Sequence, residues 1–253
     1  MELWTPEHAR TLIPSVLIML LVAVGLRAWL GKKPYAKRMI PLQICSVLLL
    51  LLEVGKQVLS LRRGYDLYHL PFHYCSLFLF ALPAMAFCGE KHRQKASAVA
   101  TALCMAMFLL LMIYPNLIYG PWDVTGYFTD YFCFHTVTYH NLVVFCLFLI
   151  LALGLYVPAG GKEHLAVLGL IGLFCAVSAS MAHILKTNYA NYYSCNIPVL
   201  ETVRLAVADA VGQLPATLLY ILIVSALNIF FTWGAFGLCR LVAKRIHKKA
   251  AVL

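Results

Sequence analysis

The stretch YHLPFHYCSLFLF, residues 68–80, combines two imidazoles and a thiol at the start of an apolar run. A thiolate is a strong nucleophile and a neutral imidazole is the usual general base, so covalent acyl chemistry is possible. Pro71 suits the first turn of a helix, which would place Cys75 one turn in, where a helix N-terminus favours the thiolate. His73 is two residues from Cys75 and points elsewhere, so the base is expected from another helix.

The segment YFCFHTVTYHNLVVF supplies the best candidate for that base. His140 is predicted to lie within the membrane at a depth similar to that of Cys75, with Asn141 beside it, and His135 lies nearer the loop. Ionisable residues at such depth usually face a bundle interior or a wet cavity. We therefore expect His140 to act as base or acid, and Asn141 and Asn188 are the candidate donors to an oxyanion.

A carboxylate precedes these segments in EVGKQV. Glu53, Lys56 and Gln57 have helical spacing and share one face. Glu53 either forms an internal pair that neutralises Lys56 or orients a histidine, as the carboxylate of a catalytic triad does. Both interpretations stay open from the sequence.

A histidine-rich metal or haem site is a weaker interpretation of the same region. His69 and His73 have the four-residue spacing of a metal-binding pair, but there is no HExxH motif and no flanking carboxylate. A haem or metal site would draw on His69, His73, His135 and His140. The sequence predicts neither a metal nor a cofactor.

The composition identifies an integral membrane protein. Of the 253 residues, 62% are apolar and 12% are charged, and the mean hydropathy is +0.83; soluble domains are about half apolar and a quarter charged. The net charge of +10 resides in basic blocks between apolar runs, which is typical of membrane topology signals and contacts with anionic lipid rather than of nucleic-acid binding.

The hydropathy pattern predicts a single domain, residues 1–253, that is an all-α bundle of about seven transmembrane helices. The predicted spans are 12–30, 39–60, 70–88, 96–118, 131–157, 163–185 and 212–240, with a short interfacial helix near 198–211. Thirteen Lys and Arg residues fall on one side of this arrangement and five on the other. The excess of positive charge marks the inner side, which predicts an outside N-terminus and an inside C-terminus.

With this topology the intramembrane polar residues collect near the outer ends of the helices, and the inner halves show almost none. The sequence therefore predicts one polar pocket that opens toward the outer leaflet. The set includes Glu53, Gln57, His73, Cys75, His135, His140, Asn141 and Asn188.

The order and spacing of EVGKQV, HLPFHYCSLFLF, FHTVTYHNL and KTNYANYYSCNIP resemble the YwaF-like family of bacterial integral membrane proteins. The resemblance covers roughly residues 45–200 and implies a multi-pass location in the cell membrane, the cytoplasmic membrane in a bacterium. The family's motif positions map onto Glu53, Gln57, Leu70, Pro71, His73, Cys75, Ser76, His140, Asn188 and Tyr189. The family in turn resembles a vertebrate ether-phospholipid acyltransferase with a membrane-embedded cysteine, which implies that Cys75 carries an acyl group.

The leading hypothesis is a phospholipid acyltransferase that acts in the outer half of the bilayer on phospholipids and lysophospholipids. Cys75 is the nucleophile, His140 the base and Glu53 the orienting group. Candidates for substrate binding are His73, Gln57, Asn141, Asn188, Tyr189 and His135. Water in place of the acceptor would make the protein a hydrolase, and a transporter or small-ligand-binding protein with a polar pocket is the other alternative. The oligomeric state is left open.

Overall fold

A computed structural model describes residues 3–250 and shows a multi-pass helical membrane protein. Residues 1, 2 and 251–253 of the predicted domain lie outside the described residues, as do the side chains of His247, Lys249 and Ala250. Within the described part, nine α-helices follow one another: α1 Pro6–Leu30, α2 Tyr35–Arg62, α3 Phe78–Phe87, α4 Glu90–Ile113, α5 Pro121–Thr125, α6 Tyr131–Ala152, α7 Lys162–Leu185, α8 Pro198–Val211 and α9 Gln213–Ala250.

Six of these helices are long and apolar enough to cross a membrane, namely α1, α2, α4, α6, α7 and α9. The third predicted span, 70–88, is the exception. It is a 3₁₀ turn at Tyr74–Leu77 followed by the ten residues of α3. At about 1.5 Å per residue these 14 residues fall short of a bilayer core of about 30 Å. The predicted count of seven spans is therefore not confirmed.

The late start of this helix corrects the placement of Pro71. Leu70 and His73 both have extended backbone, with ψ of 149° and 157°, so Pro71 lies in a bend before the helix and not in its first turn. A residue that precedes proline is biased away from the helical region, which accounts for Leu70. Cys75 consequently lies in the 3₁₀ turn that leads into α3.

The core is built around α4. Of its most apolar stretch 61% is buried, against 11% for α1, and it contacts α3, α6, α7 and α9. Its buried face is rich in small residues, including Ala98, Thr101, Ala102 and Ala106. Small side chains let neighbouring helices approach closely in a membrane.

The interfacial helix expected near 198–211 is present as α8, Pro198–Val211. Val199 and Leu200 are exposed at its first turn. Glu201 and Arg204 form an ion pair of 2.6 Å on this helix, and the hydrogen bond from Arg204 is the largest cause that lowers the pKa of Glu201. An amphipathic helix of this kind suits the boundary between lipid and water.

The end of the bundle where α2 and α4 begin, here called the basic end, holds a buried ion pair that the sequence analysis missed. Glu163 is 2% exposed and pairs with Arg240 of α9. Its carboxylate also accepts hydrogen bonds from Gln94 and, at 3.0 Å, from the Tyr156 hydroxyl. This pair joins the second residue of α7 to α9, at the end of the bundle opposite the predicted pocket.

We expect Arg240→Gln to destabilise the protein strongly. Removal of one partner leaves the Glu163 carboxylate buried without its cation, which costs about 3–5 kcal/mol for buried pairs. Thermal unfolding of the detergent-purified protein measures the loss. Lys244→Gln is the matched control, since Lys244 is exposed on the same helix. An equal loss of stability in both variants would contradict a role for the pair.

Candidate functional site

Glu53 is the centre of the polar residues at the other end of the bundle, here called the polar end and defined by Glu53, Cys75, His135 and His140. Its Oε1 lies 2.8 Å from Lys56 Nζ and accepts a hydrogen bond of 2.7 Å from Gln57. Its Oε2 lies 3.3 Å from His135 Nε2, without the alignment of a hydrogen bond. The Glu53 carboxylate therefore pairs with Lys56 and also faces a histidine. That histidine is His135.

A glycine allows this close approach of α2 and α6. A side chain at Gly55 would overlap the hydroxyl of Tyr131. That hydroxyl donates a hydrogen bond of 3.0 Å to the Leu52 carbonyl across the helix pair. With Gly55 in place, the first turns of α6 pack against the last turns of α2, and His135 reaches Glu53.

His140 lies in the interior of the bundle, 7% exposed. Its Nδ1 lies 2.7 Å from the carbonyl oxygen of Thr136. A carbonyl only accepts hydrogen bonds, so Nδ1 carries the proton and the neutral ring keeps its lone pair on Nε2. This tautomer suits a general base.

Tyr139 connects these groups, and the sequence analysis did not single it out. Its ring stacks on His135 at 5.3 Å between centroids and meets His140 edge-on at 5.6 Å. Its hydroxyl donates a hydrogen bond of 3.1 Å to the carbonyl oxygen of Cys75. The sequence did offer a signal for Tyr139, because it directly precedes His140 in an apolar helix. A buried tyrosine needs a hydrogen-bond partner for its hydroxyl.

The non-helical segment before α3 is held by side chains from several elements. Gln57 and Ser178 donate to backbone carbonyls of His69 and Phe72 at 2.8 and 2.7 Å. Tyr189 donates to a third carbonyl, that of Leu67. Backbone groups at membrane depth need internal partners, and these side chains supply them. The segment is thereby fixed, and with it the position of Cys75.

His69 and His73 serve this segment as well. His73 Nε2 donates to the Tyr68 carbonyl at 3.0 Å, and its ring contacts Tyr189 at 5.3 Å between centroids. His69 Nδ1 lies 2.6 Å from the Ser60 hydroxyl. The four-residue spacing of the two histidines does not place them on one helix face, because His69 ends a separate 3₁₀ turn. Burial lowers the pKa of both imidazoles.

The two predicted oxyanion donors differ in their surroundings. Asn188 organises the loop after α7: its Oδ1 accepts from the backbone N–H groups of Tyr193 and Ser194, each at 3.2 Å, and its Nδ2 donates to Asn196. Asn141 has a buried Oδ1 with no hydrogen bond among the described residues. This free atom of Asn141 is an acceptor and suits a ligand that donates, whereas an oxyanion would have to accept from Nδ2.

Comparison with protein families decides the membership of this chain. The model of the TMEM164 family matches residues 3–236. The chain belongs to the TMEM164 family. This is a family of transmembrane proteins, and the match covers all the residues of the polar end. Searches of curated proteins and of solved structures found no match.

In this TMEM164-family chain, the polar end unites α2, α6 and the start of α3. No group of three or more His, Cys, Asp or Glu residues within 3–250 is arranged to hold a metal ion. Among the described residues, no hydrogen bond joins the Cys75 thiol to His135 or His140. Tyr139 links the cysteine to both histidines: its hydroxyl donates to the backbone carbonyl of Cys75, and its ring contacts both imidazoles.

Tyr139→Phe is expected to loosen Cys75 without removing any charged group. The Cys75 carbonyl would keep the hydrogen bond from the Phe78 N–H and lose the one from Tyr139, and a hydrogen bond of this kind contributes about 0.5–1.5 kcal/mol. We expect a lower thermal midpoint and faster reaction of Cys75 with a maleimide, located by peptide mass spectrometry. Tyr127→Phe is the matched control, because its hydroxyl bonds to Thr138 of α6 and not to Cys75. If both variants label at the wild-type rate, the Tyr139 hydrogen bond does not position the cysteine.

Proposed function

We propose that this protein is a membrane-embedded phospholipid acyltransferase with Cys75 as the nucleophile. The observation that carries the proposal is the placement of Cys75. It is partly exposed, its carbonyl is held by Tyr139, and Tyr139 contacts two buried histidines, one of which faces a carboxylate. Covalent acyl transfer requires a positioned thiol and a base that can reach it, and the held backbone at Cys75 supplies the first of these.

In the first step, a histidine removes the proton from the Cys75 thiol, and the thiolate attacks an ester carbonyl of a phospholipid. A carbon–sulfur bond forms, the ester carbon–oxygen bond breaks, and the departing lysophospholipid oxygen takes the proton from the imidazolium. Asn141, next to His140, is the proposed oxyanion donor.

In the second step, the hydroxyl of a lysophospholipid loses its proton to the same histidine and attacks the thioester. The new ester bond forms as the carbon–sulfur bond breaks, and the Cys75 thiolate regains the proton. Water in the acceptor's place would release a fatty acid, so exclusion of water from the polar end decides between transferase and hydrolase.

His140 is the proposed base. Its Nδ1 is committed to the Thr136 carbonyl, which leaves Nε2 as an acceptor. His135 instead has its Nε2 3.3 Å from a carboxylate oxygen of Glu53. Glu53 and His135 are then the charge-stabilising pair beside the reacting groups.

The proposed orientation places the polar end toward the outer leaflet. The support is the distribution of Lys and Arg, thirteen near the basic end and five near the polar end. The proposed substrates are then phospholipids and lysophospholipids of the outer leaflet.

Intact-protein mass spectrometry tests the proposal. Purified protein incubated with a phospholipid of defined chains is expected to gain the mass of one fatty acid minus water. Neutral hydroxylamine should remove the added mass, since it cleaves thioesters, and a lysophospholipid should discharge it with formation of a diacyl product. A protein that stays unacylated under all these conditions contradicts the mechanism.

A transporter or ligand-binding protein is the second candidate, and one observation favours it. Glu53, Lys56 and His135 form a cluster of three ionisable groups deep in a helix pair, as proton- and ion-coupled sites do. In that case, flux or ligand binding in proteoliposomes would survive Cys75→Ser and fail in Glu53→Gln.

A further inference from the structure

A cavity lies at the basic end, away from Cys75. It has a volume of about 360 Å³ and lies between the first turns of α2 and α4 and the end of α3. Its lining includes Tyr35, Met39, Gln43, Met85, Phe87 and Arg93. From Tyr35 to Glu53 is 18 residues along α2, or roughly 27 Å, so this cavity is separate from the polar end.

The polar wall of the cavity is cationic. The Arg93 guanidinium carbon lies 4.5 Å above the ring centroid of Tyr35, and that of Arg38 lies 5.7 Å away. The first turn of α2 contains no acidic residue and its N-cap makes no side-chain hydrogen bond. The nearby carboxylate of Glu90 is 89% exposed, so its pairing with Arg93 at 3.4 Å is weak.

One buried donor at this wall, the Tyr35 hydroxyl, has no hydrogen-bond partner among the described residues. Arg38 lies outside the lining, with its Nη1 donating to the Leu153 carbonyl at 2.6 Å. Buried polar groups are nearly always hydrogen-bonded, so the unpaired hydroxyl calls for a ligand acceptor. An anion with several oxygens, such as a phosphate, offers acceptors to this hydroxyl and to Arg93.

The other walls are apolar and continue to the outer surface of the bundle. Met39 and Met85 are buried beside the cavity, whereas Phe87 and Ile40 are 57% and 48% exposed. These exposed side chains lie on helices that cross or enter the membrane, where they contact acyl chains. A cavity with cations at the helix starts and an apolar exit along the helices matches a lipid, with its phosphate inside and its chains outside.

We propose that this cavity binds the phosphate of an acidic phospholipid headgroup. The lipid is a structural or regulatory ligand of the basic end and goes beyond the acyl chemistry proposed for Cys75. The continuity of the cavity with the apolar surface favours a lipid over a soluble phosphate.

The test uses the full-length protein in detergent and measures its thermal midpoint and binding curve as phosphatidylglycerol is titrated into the micelles. Phosphatidylcholine and inorganic phosphate are the comparison ligands. We expect only phosphatidylglycerol to raise the midpoint. Arg93→Gln should weaken that binding by roughly five- to tenfold, the value of one cation near an anionic headgroup. Lys91→Gln, the same charge change at an exposed position on α4, should leave it unchanged.

Three results would overturn the proposal. If Arg93→Gln and Lys91→Gln weakened the binding of phosphatidylglycerol equally, the binding would reflect general charge attraction and not this cavity. Equal stabilisation by inorganic phosphate would assign the cavity to a soluble anion. Tyr35→Phe keeps the ring beneath Arg93 and removes only the unpaired hydroxyl, so it tests the site even if Arg93→Gln does not fold. An unchanged affinity for phosphatidylglycerol in Tyr35→Phe would reject the site.

Discussion

Cys75→Ser is expected to abolish formation of the hydroxylamine-sensitive acyl-enzyme and to reduce lipid acyl exchange to background. The serine hydroxyl is a far weaker nucleophile near neutral pH than a thiol, and any ester that it forms resists neutral hydroxylamine. Intact-mass spectra before and after hydroxylamine, with exchange of a labelled acyl chain between phospholipid and lysophospholipid, measure the two effects separately. The change is nearly isosteric, so the hydrogen bond from Tyr139 to the backbone at position 75 should persist.

Cys195→Ser is the matched control for this experiment. Cys195 is also partly exposed, and lies in the connection between α7 and α8, where its N–H donates to Glu201. Its replacement should leave acylation and exchange at wild-type levels. Exchange at the wild-type rate in Cys75→Ser, with a normal thermal midpoint, would rule out the thioester mechanism and return the choice to a binding or transport function.

The sequence predicts those features of the fold that depend on local pattern. Long apolar runs locate six helices with ends within six residues of those observed, except that α9 continues ten residues beyond its predicted end, and the short helix predicted near 198–211 is present as α8. The start of α3 depends on more than pattern. Pro71 suits a helix start, but the side chains of Gln57, Ser178 and Tyr189 hold the preceding carbonyls in a non-helical course. Those partners lie up to 122 residues away in sequence.

The sequence predicted which residues gather at the polar end, but not which of their side chains contact one another. Depth along each helix brings Glu53, Cys75, His135 and His140 to one end, and this follows from counting residues. Glu53 faces His135 because of the rotation of α2 and α6 and the short distance between them, which the contact of Gly55 with Tyr131 permits. A single sequence reveals neither the rotation of a helix nor its distance from a neighbour. The buried Glu163–Arg240 pair was hidden for the same reason, since each residue lies near a helix end and resembles an ordinary surface charge.

His140→Gln and His135→Gln are expected to separate the base from the charge-stabilising residue. Loss of a general base lowers the rate by about 10²–10⁴-fold, and we expect this for His140→Gln in both acylation of Cys75 and its discharge. Glutamine at position 140 can still donate to the Thr136 carbonyl, so the variant tests the Nε2 lone pair and not the local helix packing. Single-turnover acylation followed by mass spectrometry measures each step.

His135→Gln should act through Glu53 and should therefore have the smaller effect, roughly tenfold. If so, Glu53→Gln lowers the rate by a similar factor, and the double variant Glu53→Gln/His135→Gln is little worse than either single change, because the two side chains act as one pair. A larger loss in His135→Gln than in His140→Gln would instead make His135 the base and Glu53 its orienting carboxylate. Full activity in both histidine variants would contradict histidine catalysis at the polar end. Among the described residues, no imidazole other than those of His135 and His140 contacts Tyr139.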